Sequence, residues 1–186
     1  MKRLTREQTR EEFVTIAARR FAEQGFQATS LEEIAAEAGY SKAALLYHFG
    51  TKDDLLAAVM GRHVEETERL VAELEDEPPG AERTDHAIRA LVGFAVARRP
   101  TSPLSMKPAH DIASALGRNP DLLARFQRLQ ARLVVLLAGP DASLRQQVAL
   151  AVAFAGIPAV VTEFRHVPTH DLTTMLSDVL RDAVTS

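Results

Sequence analysis

The chain has 186 residues, with 22 Lys and Arg against 25 Asp and Glu, a formal charge of −3 at pH 7, and 46% apolar side chains. That composition is ordinary for a globular protein with a sizeable core, and the absence of cysteine excludes disulfides, thiolate metal sites and cysteine nucleophiles. No apolar run looks long enough to span a bilayer and the N-terminus lacks a signal-peptide core, so a cytoplasmic protein without a membrane partner is expected.

The pattern of caps and breakers predicts an all-α chain of roughly nine helices. The first runs from Thr5 to Gln24, burying Phe13, Ile16, Ala17 and Phe21, and stops at Gly25. In the second, Leu31, Ile34, Ala35 and Ala38 fall on one helical face, with Ser30 and Glu33 placed to form a capping box. Gly39 follows where a left-handed residue is needed, and Ser41 caps a third helix whose buried edge is Leu45 and Phe49. Two helices this short need a third to lean on, and the first helix supplies it. Such a helix-turn-helix usually lays its second helix in the DNA major groove.

Thr51 then caps a long fourth helix with the stripe Leu55, Leu56, Val59, Val64, Leu70, Val71 and Leu74, closed before Pro78-Pro79-Gly80. A fifth helix carries Ile88, Leu91, Val92, Ala95 and Val96 and ends at Pro100; the proline-rich stretch to Pro108 reads as irregular. A short helix ends at Gly117, and Asn119-Pro120 opens a seventh bearing Leu122, Leu123, Phe126, Leu129, Leu133, Leu136 and Leu137. From Ser143 to Phe164 small residues recur, and Gly156-Ile157-Pro158 is expected to kink or break that helix. The terminal helix carries Leu172, Met175, Leu176, Val179, Leu180 and Val184, a stripe complete enough to be docked on something.

The segments Thr29-Ser30-Leu31-Glu32-Glu33-Ile34-Ala35, Ala38-Gly39-Tyr40-Ser41-Lys42, Tyr47-His48-Phe49 and Lys52-Asp53-Asp54-Leu55-Leu56 resemble, in order and spacing, the N-terminal signature of TetR/AcrR-type transcriptional regulators. The resemblance covers about the first third of the chain. It implies a DNA-binding head over residues 1–51, a helical ligand-binding and dimerisation body over 52–186, and a homodimer through the last two helices. The implied partners are a double-stranded DNA operator with dyad symmetry and a small-molecule effector, and no cofactor or metal is expected.

The DNA-binding candidates are Thr29, Ser30, Tyr40, Ser41, Lys42, Ala43, Leu46, Tyr47, His48 and Lys52. Thr29 and Ser30 precede a helix start, where hydroxyls and free N–H groups meet phosphate oxygens. Lys52 matches a phosphate-contacting lysine of the family, and Tyr40 and Lys42 are the candidates for reading bases. Two positions depart from the family pattern: Ala44, where Thr or Ser is frequent, and Leu46, where a tyrosine is usual. Leu46 therefore lacks a phenolic donor and is left to touch a thymine methyl or to finish the core. The basic residues Lys2, Arg3, Arg6 and Arg10 crowd the N-terminus, so the net acidity of the chain does not argue against phosphate binding.

For an effector, the fourth to seventh helices offer Met60, His63, Phe94, Met106, His110, Phe126 and Gln130, an apolar lining with a few polar groups. That mixture suits an apolar or aromatic molecule. Two other readings compete: a helical interaction protein that has lost DNA binding, favoured by Ala44 and Leu46, and an enzyme. Against the enzyme, the six histidines show no catalytic or metal-ligand spacing.

Overall fold

The computed structural model describes residues 5–102 and 115–185. Their regular elements are all helices, with no strand among them: α1 Arg6–Gln24, α2 Leu31–Glu37, α3 Lys42–Phe49, α4 Lys52–Glu75, α5 Ala81–Ala97, α6 Pro120–Ala138, α7 Leu144–Glu163 and α8 Thr169–Thr185. The helix ends follow local chemistry. Thr5 and Gln8, Ser30 and Glu33, and Ser143 and Gln146 form reciprocal capping boxes, each satisfying two otherwise orphaned backbone donors. Asn119 accepts from the Leu122 N–H to start α6.

The chain divides into two compact units, Met1–His63 with Pro100–Leu123, and Val64–Arg99 with Ala124–Ser186. The division falls inside α4, not at its start, where the sequence suggested a boundary at residue 51. The physical reason lies in the first turns of α4. Leu55, Leu56, Val59 and Met60 are fully buried and belong to the first unit.

In that unit α1 is the central prop. Phe13 meets Tyr40, His48 and Phe49 edge-on, with centroids 5.4, 5.7 and 6.3 Å away, and Phe21 packs on Phe26. Val14, Ala17, Ile34, Ala35 and Leu45 complete the core. Each large side chain so enclosed stabilises the fold by about 1.5–3 kcal/mol, which is how helices as short as α2 and α3 persist. Outside the core, Arg19 and Arg20 both reach Glu37, tying α1 to the end of α2, and Arg62 reaches Thr15 at 2.7 Å to tie α4 to α1.

In the second unit, Arg125 makes a two-pronged contact with Glu68, and Arg132 makes the same contact with Glu75. Both members advance by the same interval, so α4 and α6 run parallel along this edge. α5, α7 and α8 pack together around Ile88, Val92, Val96, Leu150, Val161, Leu172, Leu176 and Leu180, and Arg181 on α8 holds Asp85 on α5 at 2.6 Å.

Two expectations about α7 change. The helix does not break at Pro158 and runs unbroken from Leu144 to Glu163. The ring removes one N–H donor, and the Pro158 carbonyl accepts from the Thr162 hydroxyl at 2.8 Å. The same helix, Leu144–Glu163, is also long and apolar enough by length and composition to cross a membrane, with a mean hydropathy of 1.5. Its charges stand only at its ends, at Arg145 and Glu163. Only Leu150 and Val161 along it are buried.

Candidate nucleic-acid interface

The turn between α2 and α3 is built by backbone geometry. Gly39 adopts φ +76°, a conformation that costs a side-chain-bearing residue energy. Its N–H donates to the Ala36 carbonyl at 3.0 Å, and the Tyr40 N–H donates to the Ala35 carbonyl at 2.9 Å. Ser41 then receives the Ala44 N–H at 3.2 Å and starts α3. The direction of α3 is thereby set within four residues of the end of α2.

α3 divides cleanly into faces. Leu45 and Phe49 are buried; Ala44, Leu46 and His48 are half-buried; Lys42, Ala43 and Tyr47 are exposed. Tyr47 is 71% exposed, an unusual position for an aromatic ring that has only solvent to meet. Its ring lies under the Arg6 guanidinium, 5.2 Å from the centroid, and Arg10 stands over Phe49 at 5.0 Å. The first turns of α1 thus add two cations to the edge of α3. Arg6 and Arg10 belong to the basic cluster at the N-terminus of the sequence, and the fold brings both to α3. The signal was available, because Arg6 and Arg10 fall at helical spacing with Phe13, whose ring touches α3.

His48 packs against the Phe13 ring and feels the charges of Arg6 and Arg10. Burial, followed by the charges of Arg6 and Arg10, pushes its imidazole below the ordinary value of 6.5, so the ring is neutral at physiological pH. It sits against the core and brings a donor or acceptor to the edge of the exposed face without adding a charge.

The two lysines have internal partners. Lys42 donates to Glu32 at 2.6 Å. Lys52 donates to the Gln27 carbonyl at 3.3 Å with its ammonium 4.5 Å from the centre of the Phe26 ring. Tyr40 braces the turn against α1, its hydroxyl 3.3 Å from that of Thr9. Ser30 acts as the cap of α2.

Thr29 is a correction. It is buried, and its hydroxyl donates to the Gly25 carbonyl at 2.8 Å, so it is not presented to a phosphate. A threonine just ahead of a helix start reads equally well as a phosphate contact or as a plug that ties down the preceding turn. Here the turn needs an acceptor's partner, and the hydroxyl is spent there.

The effector candidates are not assembled within one unit. Met60 is fully buried and His63 half-buried in the first unit; Phe94 and Phe126 are half-buried in the second. Gln130 is exposed on α6, which corrects its expected place in an enclosed lining; it lies on the solvated side of a helix whose apolar stripe is Leu129, Leu133, Leu136 and Leu137. Met106 and His110 lie outside the described residues.

Residues 14–59 match the family model described as bacterial regulatory proteins, tetR family. The chain is 40% identical over 63 residues to the HTH-type transcriptional activator FasR of Mycolicibacterium smegmatis, covering 34% of this chain and 29% of FasR. It is 38% identical over 97 residues to the HTH-type transcriptional dual regulator CecR of Shigella flexneri, covering 46% and 40%. The matches therefore span less than half the length of these curated relatives. Among solved structures, a TetR-like transcriptional regulator from Rhodococcus sp. RHA1 shares the fold over 99% of this chain and 100% of its own, with a TM-score of 0.68 and 22% identity.

Proposed function

Because the chain belongs to the TetR family of bacterial regulatory proteins, we propose that it is a ligand-responsive DNA-binding regulator, a homodimeric repressor that leaves a palindromic operator when a small apolar or aromatic effector binds. The observation that carries this reading is the exposed face of α3, where Tyr47 stands clear of the core with Arg6 beside it and Lys42 at the helix start. Regulators of this family are not enzymes, and the catalytic reading is set aside on that ground.

In this reading Lys42 and Tyr40 serve base recognition, while Ser30, Ser41, Tyr47, His48 and Lys52 with Arg6 and Arg10 position the phosphate backbone. The support for a dimer is an apolar surface that the single chain leaves in water. Leu144, Val148 and Val152 recur one turn apart on α7, and Met175 and Val179 do so on α8, all more than half exposed. Two copies pairing these helices would bury that surface and set two heads on a dyad, so the operator would carry matching half-sites. The effector would shift the population toward a head spacing that no longer fits the half-sites.

A footprint on the DNA upstream of its own gene, with and without an effector found by thermal shift, tests the reading. A protected dyad that is lost with effector, together with raised transcription, supports a ligand-released repressor. Protection with lowered transcription on protein removal would make the protein an activator, as FasR is named. No protection of any fragment, with DNA-independent binding to a protein partner, would favour the helical interaction protein.

A further inference from the structure

Glu32 stands in the first turn of α2 and Lys42 opens α3, and the turn between the helices brings their side chains together at 2.6 Å. Both remain largely solvated, so the pair adds little to the stability of the fold. The hydrogen bond from Lys42 holds the Glu32 carboxyl below its ordinary range, which keeps it an anion at neutral pH. The consequence of the pair falls on DNA. Sequence-independent binding is driven by cations that displace counterions from phosphates, and an ammonium already matched to a carboxylate brings little net charge to that exchange. A guanine edge is a different partner, because N7 and O6 converge on one ammonium as two acceptors.

We propose that Glu32 is a specificity-determining residue that withholds Lys42 from phosphates and leaves it for base-edge acceptors. This rests on the DNA-binding reading above. The test uses the full chain as wild type, Glu32→Gln, Lys42→Ala and the double variant. Each is titrated onto a labelled duplex of random sequence, and onto a duplex enriched by the wild type from a random pool, across a salt series. Glu32→Gln should bind the random duplex more tightly, steepen its salt slope by about 0.9 and lower the preference for the enriched duplex. None of these changes should appear in the Lys42→Ala background. A wild-type slope in Glu32→Gln overturns the inference alone, and so does a steepening that persists without Lys42, which would make Glu32 a general repeller of phosphate. A wild type that leaves both duplexes unbound at the lowest salt overturns the DNA-binding reading, and this inference with it.

Discussion

The guanidinium of Arg6 lies over the ring of Tyr47, 5.2 Å from its centroid, and joins the first turn of α1 to the most exposed aromatic of α3. On the proposed reading, a cation and a phenol held together in this way would present a charge and a hydroxyl to the same approaching phosphate. The stack also restrains a long side chain that would otherwise lose its rotamer freedom only on binding DNA. Arg6→Gln should therefore weaken binding to all duplexes alike and lower the salt slope by about one. Tyr47→Phe keeps the stack and should leave the slope unchanged while weakening affinity. Equal slopes in wild type and Arg6→Gln, read by fluorescence anisotropy, would remove Arg6 from the interface.

Lys52 is held by the Gln27 carbonyl and the Phe26 ring. Lys52→Ala should lower affinity for specific and random duplexes by the same factor, with a slope smaller by about one. A change confined to particular base positions would contradict a phosphate role.

Thr29→Val tests the opposite assignment. The substitution keeps the shape and removes the hydroxyl that donates to Gly25, so it should cost about 1 kcal/mol of stability in urea unfolding. The salt slope should stay at the wild-type value. A shallower slope would return Thr29 to the phosphate contacts.

What was legible in the sequence divides along a physical line. Helix ends and buried stripes are local, and the caps at Ser30 and Ser41, the turn at Gly39 and the burial of Leu45 and Phe49 could all be read from neighbours in the chain. Glu32 and Gln27, which Lys42 and Lys52 reach, are not local to them. Nothing near Lys42 or Lys52 in sequence points to Glu32 or Gln27, because those contacts depend on the angle between helices. The same limit applies to the terminal helix. Val179 and Leu180 both belong to a convincing apolar stripe, yet Leu180 is in the core and Val179 is 60% exposed. A stripe wide enough to face two neighbours does not say which residue faces which.

His48 gives the first unit a pH dependence of definite sign. In the unfolded chain the imidazole protonates near its ordinary 6.5, and in the folded chain only at lower pH, through burial and then the charges of Arg6 and Arg10. Between those values the unfolded state binds more protons, so stability is complete above the unfolded value and is lost as pH falls through the folded one. The urea midpoint of the wild type should drop on mild acidification more steeply than that of His48→Gln. Parallel curves would show that the ring is not restrained in this way.

The last prediction separates the core of the second unit from its exposed apolar face. Leu180 is 1% exposed, and Leu180→Asp would bury an unpaired carboxylate among α5, α7 and α8, a loss large enough to unfold the unit. Leu180 is therefore a core residue of a helix through which the family resemblance implies a homodimer. Val152 and Val179 are 68% and 60% exposed, so Val152→Asp or Val179→Asp meets only water in the single chain and should leave helicity and melting of the monomer nearly unchanged. In a dimer paired through α7 and α8 the same carboxylates would face an apolar partner with nothing to neutralise them. Sedimentation should then show a folded monomer, and operator affinity should fall because two half-sites are no longer held by one particle. A wild type that is monomeric at all concentrations, or a dimer indifferent to both substitutions, would move the interface away from these helices.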